Sequence, residues 1–170
     1  DIGCGCGALG LSLYLELKKR GYQLELYLSD ISAAALKVSQ KNIERLVGQT
    51  TDVHLLQSDL LQNFPRQLKF DLILANLPYI PSDRIKVLEA SVKHYEPHLA
   101  LAGGKDGLQI IRPFLKQALT RLKEKGWLLL EVDHTHSKQF LEGQLDLEAY
   151  QFTVKTDQFG RNRFAIFSLT

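Results

Sequence analysis

The chain has 170 residues, 45% of them hydrophobic and 24% charged, a balance that suits a globular domain with one hydrophobic core. Its formal net charge of +2 does not supply the concentrated basic surface that sequence-independent binding of nucleic acid requires, so we expect no stable complex with nucleic acid. No apolar run is long enough to cross a bilayer, and we expect a cytoplasmic location without membrane association.

Apolar runs alternate with amphipathic stretches along the chain, which predicts an α/β fold with a mostly parallel sheet and helices on both of its faces. Strands are predicted at residues 24–29, 53–57, 71–75, 127–132, 150–156 and 164–168, and helices at residues 8–20, 33–46, 108–123 and 137–145. Too few residues separate the last two strands for a crossover helix, so we expect them to form a C-terminal antiparallel hairpin.

The start of the chain indicates a piece of a longer protein, because the sequence contains no methionine and begins at Asp1. Residues 1–3 are predicted to end a first strand whose earlier residues are missing. We expect residues 1–170 to form a single domain in which this first strand is incomplete.

Metal binding is not predicted. Cys4 and Cys6 lie one residue apart, and two ligands alone do not make a zinc site. The five histidines lack the spacing of metal ligands, and we assign them no role.

A glycine-rich segment, Asp-Ile-Gly-Cys-Gly-Cys-Gly at residues 1–7, lies between the predicted first strand and the first helix. Glycines at such a position let a ligand approach the backbone at the N-terminus of a helix. Gly5, Gly7 and Gly10 also match the GxGxxG pattern of dinucleotide-binding proteins, and Asp30 lies twenty residues beyond Gly10. A nicotinamide- or flavin-dependent enzyme is therefore one alternative.

Polar side chains end the next three predicted strands. Asp30 can accept hydrogen bonds from both hydroxyls of a ribose, or it can cap the following helix. Asp59 can accept from an adenine amino group while Leu60 packs on the ring, or it can cap a turn. Because the carboxyl ends of the strands converge, this set favours S-adenosylmethionine, which has an adenosine but no pyrophosphate. The predicted cofactor-binding residues are Asp1, Gly3, Cys4, Gly5, Gly7, Asp30, Ile31, Asp59, Leu60 and Asn76.

The motif Asn76-Leu77-Pro78-Tyr79 directly follows an apolar strand. The Asn76 side-chain oxygen and the Leu77 carbonyl, held outward by Pro78, can accept hydrogen bonds from both hydrogens of a planar NH2 group. Such acceptors favour the more tetrahedral, more nucleophilic nitrogen of a transition state, and Tyr79 can stack on the flat group. We predict that Asn76, Pro78 and Tyr79 are catalytic and that all four residues bind a substrate whose planar nitrogen is methylated.

The chain resembles the release factor glutamine methyltransferases over essentially its whole length. The resemblance is carried by residues 1–7, 30, 58–59, 76–79, 95–101, 103–108, 126–131 and 157–163. It implies the class I methyltransferase fold and the transfer of a methyl group from S-adenosylmethionine to the glutamine amide of the Gly-Gly-Gln motif in peptide chain release factors. It also implies that Glu96 shapes the mouth of the substrate pocket, although a solvated loop carboxylate is an equal interpretation.

Two departures from the family pattern bear on the substrate. The family usually has proline where this chain has Leu77, and the Asn-Leu-Pro-Tyr form resembles that of rRNA adenine dimethyltransferases. The helical N-terminal domain of the family is absent from these residues.

Two further alternatives to a release factor glutamine methyltransferase remain open. One is an adenine methyltransferase that acts on rRNA or DNA, and the other, from another class, is a catalytically idle domain that binds a protein partner.

Overall fold

The computed structural model describes residues 1–85 and 101–170, which form two compact units, Asp1–Leu68 and Lys69–Thr170. Glu96 lies outside the described residues, so its predicted role at the substrate pocket stays a prediction. The expectation of a single domain likewise stays a prediction.

The first unit alternates helices with parallel strands, as the sequence pattern predicts. It contains α1 at Ala8–Lys19, β1 at Leu26–Asp30, α2 at Ala33–Leu46 and β2 at Val53–Gln57. β1 and β2 are parallel, with Leu26 opposite Val53. The core of this unit contains Cys4, Leu11, Leu28 and Ile43.

Residues 1–4 pair with β1 in the manner of a strand end. Ile2 forms an isolated parallel bridge with Ser29. The Ser29 amide donates to the Asp1 carbonyl at 2.9 Å, and the Cys4 amide donates to the Ser29 carbonyl at 2.9 Å. The predicted end of a first strand is therefore present beside β1.

The second unit contains a four-stranded sheet whose order is β3-β4-β6-β5. Its strands are β3 at Phe70–Ala75, β4 at Leu122–Glu131, β5 at Tyr150–Thr156 and β6 at Asn162–Leu169, and its described helices are α3 at Ser82–Ile85, α4 at Ile111–Leu119 and α5 at Lys138–Gln144. β3 and β4 are parallel, whereas β6 is antiparallel to both β4 and β5. The predicted C-terminal hairpin is confirmed, and Phe114, Leu128 and Phe167 are fully buried in this unit.

The predicted boundary between the helix at 108–123 and the strand that follows it is wrong. The helix predicted at 108–123 ends at Leu119, and β4 begins at Leu122 instead of residue 127. The Phe70 amide donates to the Arg121 carbonyl at 2.8 Å, and Phe70 pairs with Leu122 before the register shifts. Pairing with a strand some fifty residues earlier overrides the local helical pattern.

Among the described residues, none of the helices has both the length and the apolar character needed to cross a membrane.

Candidate functional site

The glycine loop of the first unit turns at Gly3, Gly5 and Gly7, whose φ values are 69°, 56° and 79°. Glycine adopts this left-handed region without the steric cost that other residues bear. A Cβ added at Gly5 would meet no atom within 4 Å, whereas one added at Gly7 would lie 3.2 Å from the side chains of Leu11 and Leu28. Gly5 therefore leaves open space beside the backbone, and Gly7 is closely packed.

Asp30 ties the glycine loop to the start of α2. Its Oδ2 accepts from the Gly5 amide at 2.8 Å and its Oδ1 accepts from the Ser32 amide at 2.8 Å. The side chain that caps α2 is that of Ser32, which accepts from the Ala35 amide at 3.2 Å. A carboxylate has roughly four lone-pair positions, so each Asp30 oxygen can still accept one further hydrogen bond. That capacity fits two neighbouring hydroxyls of a ligand.

Asp1 has a role in the fold that the sequence pattern does not predict. Its Oδ2 accepts from the Gly10 amide at 2.9 Å, which satisfies one of the unpaired N–H groups at the start of α1. A Cβ added at Gly10 would lie 2.6 Å from Leu28 Cδ2 and 2.9 Å from Asp1 Cβ. The third glycine of the GxGxxG match is thus explained by close packing of α1 on β1.

Two side chains of α2 hold the glycine loop from the other side. Ser39 Oγ donates to the Gly5 carbonyl at 2.8 Å, and Asn42 Nδ2 donates to the Cys6 carbonyl at 2.8 Å. Cys4 is buried beside Ser39, and this burial raises the pKa of its thiol. Sequence reasoning missed Ser39 and Asn42, although their spacing of three puts two small polar residues on one helix face.

The end of β2 lies next to Asp30, because the Ser58 amide donates to the Asp30 carbonyl at 3.0 Å. Asp59 follows as an exposed carboxylate that accepts from Gln62 Nε2 at 3.1 Å. Leu60 is half-buried and has φ of 54°, a conformation that is uncommon for a residue with a side chain and is often found at ligand sites. Ile31, after β1, is exposed as well. The predicted adenosine-binding residues of this unit thus lie around the ends of two adjacent strands.

The Asn-Leu-Pro-Tyr motif of the second unit begins immediately after β3. Asn76 is exposed, Pro78 and Tyr79 are half-buried, and Leu77, backbone included, is only 4% exposed. Leu77 is thus part of the core.

The backbone of residues 101–107 supports the motif. The Ile80 amide donates to the Leu101 carbonyl at 3.1 Å, and the Gly103 amide donates to the Ile80 carbonyl at 2.9 Å. A Cβ added at Gly107 would clash with the Tyr79 carbonyl oxygen and lie 2.8 Å from the His136 ring. Gly103 and Gly107 are needed because the backbone passes directly against Tyr79 at both positions and against His136 at Gly107.

His136 is fully buried and connects this segment to the end of β4. Its Nδ1 accepts from the Asp133 amide at 3.3 Å, so Nε2 carries the proton that is donated to the Asp106 carbonyl at 2.9 Å. Burial lowers the pKa of His136 and keeps the ring neutral. Sequence reasoning assigned no role to this histidine, because its partner Asp106 lies thirty residues away.

The carboxylate of Asp133 is also buried and forms an ion pair with the guanidinium of Arg84 in α3. Burial alone would raise the pKa of Asp133, but hydrogen bonds from the Thr135 amide and hydroxyl and the charge of Arg84 outweigh it and lower that pKa. The helix that follows the motif is thereby attached to the end of β4.

Tyr79 lies in a polar network that the sequence analysis missed. Its hydroxyl donates to Glu131 Oε1 at 2.6 Å. Arg163 Nη1 lies 3.3 Å from the Tyr79 hydroxyl and 3.4 Å from Glu131 Oε1, and Arg163 Nη2 lies 3.5 Å from Asp157 Oδ2. Burial, followed by the hydrogen bond to Glu131, raises the pKa of Tyr79 well above its ordinary value, so the hydroxyl remains a donor.

The described residues contain no group of three or more histidine, cysteine, aspartate or glutamate side chains arranged to hold a metal ion.

Comparison with known proteins agrees with the sequence analysis. Residues 1–103 match the family model described as the methyltransferase small domain. The release factor glutamine methyltransferase of Leptospira interrogans is 36% identical over 169 residues, which are 98% of this chain and 56% of that protein. The protein of the same description from Moorella thermoacetica is 40% identical over 164 residues, or 96% of this chain and 56% of its own. The chain thus spans about half the length of the curated relatives that it matches.

Solved structures show the fold. The ribosomal protein L11 methylase of Lactobacillus delbrueckii subsp. bulgaricus has a TM-score of 0.67 at 20% identity and covers all of this chain and 68% of its own. A 16S rRNA methyltransferase of T. thermophilus in complex with AdoMet and guanosine has a TM-score of 0.63 at 20% identity and covers all of this chain and 36% of its own. The predicted fold class is confirmed by these similarities.

Proposed function

Because the chain belongs to the methyltransferase small domain family and has the class I methyltransferase fold, we propose that it is part of an enzyme that methylates the glutamine of the Gly-Gly-Gln motif in peptide chain release factors. The methyl group is transferred to the side-chain amide nitrogen, and we expect the reaction to take place in the cytoplasm. The observation that carries the proposal is the sequence similarity to release factor glutamine methyltransferases, which extends over 98% of this chain.

We propose S-adenosylmethionine as the methyl donor, and the residues of the first unit fit it. The open side of Gly5 gives a ligand access to the loop backbone. Asp30 can accept from two ribose hydroxyls because each of its oxygens has accepted only one amide. Asp59 offers an exposed carboxylate to an adenine amino group, with the apolar side chain of Leu60 next to it. When bound, S-adenosylmethionine would supply the methyl group from its sulfonium, with the S–C bond breaking and its electron pair remaining on the sulfur.

The residues of the second unit suit an amide as the acceptor. The exposed Asn76 side chain and the Leu77 carbonyl each accept one hydrogen of the glutamine NH2 group, and the Tyr79 ring packs on the plane of the amide. Accepting both hydrogens favours the pyramidal nitrogen as its lone pair forms the new N–C bond. The nitrogen then loses one proton to water, so this chain needs no dedicated general base.

An adenine amino group is the second candidate acceptor. Its NH2 group has nearly the same geometry as that of a primary amide, and the Leu77 form of the motif resembles that of adenine methyltransferases. An enzyme of that kind would have to flip the base out of its stack, and a net charge of +2 gives little electrostatic support for holding the surrounding nucleic acid.

The test uses the full-length protein with labelled S-adenosylmethionine and three separate acceptors: a peptide chain release factor, the same factor with the glutamine of its Gly-Gly-Gln motif replaced by alanine, and structured rRNA. We expect label on the unaltered factor alone. Label on rRNA alone would transfer the assignment to the adenine class, and equal label on both forms of the factor would exclude the proposed glutamine.

A further inference from the structure

The ring of Tyr79 is restrained at both of its ends. On the backbone side, Ile80 is hydrogen-bonded to the segment at 101–103, and Gly107 passes against the Tyr79 carbonyl. At the other end, the hydroxyl donates to Glu131 at 2.6 Å. A hydrogen bond to an ionised carboxylate at this short distance is among the stronger ones that proteins form. A swing of the ring about the Cα–Cβ bond would move the hydroxyl away from Glu131 and break this hydrogen bond.

Glu131 is itself held in place. It is the last residue of β4, and in the antiparallel ladder it lies opposite Phe164. The preceding residue of β6, Arg163, reaches Glu131 with one nitrogen and Asp157 with another. The side chains of Glu131 and Arg163 are 24% and 28% exposed. The carboxylate is thus fixed by a strand end and a neighbouring guanidinium, in a partly solvated position.

We propose that Glu131 is a positioning residue for methyl transfer, which acts by fixing the position of the Tyr79 ring on which the planar acceptor packs. The inference rests on the proposed function, because it requires an acceptor on that ring. Misplacement of a packed acceptor lowers the rate more than it lowers binding, since the nitrogen must be oriented toward the methyl group. A role in stability alone is small by comparison, because partly exposed ion pairs stabilise proteins little.

The test compares Glu131→Ala, Tyr79→Phe and the double variant in the full-length protein, with the release factor as acceptor. Each single change removes the same hydrogen bond, so each should lower kcat about tenfold while the KM for S-adenosylmethionine changes less than about twofold. The double variant should also lose only about tenfold, because both single changes already remove the hydrogen bond that positions the ring. Glu131→Gln should recover most of the rate, since its amide oxygen still accepts from the Tyr79 hydroxyl.

Lys123→Ala is the matched control. Lys123 lies on the same strand as Glu131 and forms an exposed ion pair with Asp71 at 2.7 Å, so its loss removes an ion pair of the sheet without touching Tyr79. Its kcat should remain within about twofold of the unaltered enzyme.

A readout that does not depend on activity is the ionisation of Tyr79, followed by NMR in fluorotyrosine-labelled protein and assigned by the signal that Tyr79→Phe removes. Glu131→Ala should shift this ionisation to lower pH.

These experiments test the positioning role of Glu131 separately from the proposed methylation of release factors. A kcat that is unchanged in Glu131→Ala, or a loss of about a hundredfold in the double variant, would overturn the positioning role while the methylation of release factors stands. An unaltered enzyme that labels no release factor would overturn the proposed function and the inference together.

Discussion

We propose different roles for Asp30 and Asn76: Asp30 binds the cofactor, and Asn76 acts in the methyl-transfer step. Asp30 already accepts two backbone amides, so it holds the glycine loop as well as offering lone pairs to a ribose. Asn76 is exposed directly after β3, where its amide oxygen is accessible to an acceptor NH2 group. The two residues therefore predict different kinetic effects on substitution.

Asn76→Ala should lower kcat by about a hundredfold or more and leave the Kd for S-adenosylmethionine within a few-fold, because one acceptor of the transition-state hydrogen bonds is lost. Asp30→Ala should weaken the Kd for S-adenosylmethionine about tenfold or more. Titration calorimetry measures the Kd values and steady-state assays measure kcat. An equal loss of cofactor binding in both variants would contradict this assignment of roles.

Asp30→Asn is a partial control for damage to the loop, since its side chain keeps one acceptor oxygen for either the Gly5 or the Ser32 amide and turns an NH2 group toward the other. If Asp30→Ala binds the cofactor weakly only because the loop has loosened, its thermal unfolding midpoint should fall well below that of Asp30→Asn.

At the scale of the elements, two helical glycines test whether α1 packs as closely on β1 as the structure shows. A Cβ at Gly10 would lie 2.6 Å from Leu28, whereas one at Gly143 in α5 would meet nothing within 4 Å. Gly10→Ala should lower the free energy of unfolding by about 1–3 kcal/mol through overpacking. Gly143→Ala should raise it by roughly 0.5–1 kcal/mol, because alanine favours the helix. Urea unfolding measures both, and a stabilising Gly10→Ala would exclude the close contact.

The segment that supports Tyr79 is tested by a second pair of glycines. Gly107 and Gly160 have φ values of 79° and 73°, so alanine is strained at both. A Cβ at Gly160 meets nothing within 4 Å, but one at Gly107 meets the Tyr79 carbonyl and the His136 ring. Gly160→Ala should lower the free energy of unfolding by about 1 kcal/mol, and Gly107→Ala should cost about 2–3 kcal/mol more. If urea unfolding shows an equal decrease in the free energy of unfolding for both variants, the cost comes from the backbone conformation alone and not from contact with Tyr79 and His136.

At the scale of the whole molecule, the buried His136 makes stability depend on pH. Its folded pKa is lowered below the ordinary 6.5, by burial first, against the opposing effects of the Asp106 carbonyl and the Asp133 charge. The unfolded chain then binds more protons than the folded one just below pH 6.5. The free energy of unfolding is therefore greatest above that pH and falls as the pH decreases through it.

The expected result is a decline of the free energy of unfolding between about pH 7 and pH 5 that His136→Gln flattens. Asp106 and Asp133 have pKa values lowered below 3.8, so their contributions are lost only at more acidic pH. Urea unfolding at several pH values measures the slope in the unaltered protein and in His136→Gln. A slope that is the same in both proteins would contradict the contribution of His136.

The sequence by itself determined the elements whose signals are local. The bounds of α2, β2 and β5 agree with the predicted ones, because each has a clear periodicity bounded by capping or turn residues. The position of the Asn-Leu-Pro-Tyr motif directly after β3 also follows from adjacency along the chain. The predicted contacts with cofactor and acceptor stay predictions.

Only the tertiary structure decided what depends on residues far apart in sequence. β4 begins at Leu122 because Phe70 pairs with it, and Tyr79 is held by Glu131 and Arg163, which lie 52 and 84 residues away. Periodicity and propensity report how a residue interacts with its near neighbours along the chain. They contain no information on which distant side chains the sheet order brings together, and it is that order which places a carboxylate and a guanidinium at the Tyr79 hydroxyl.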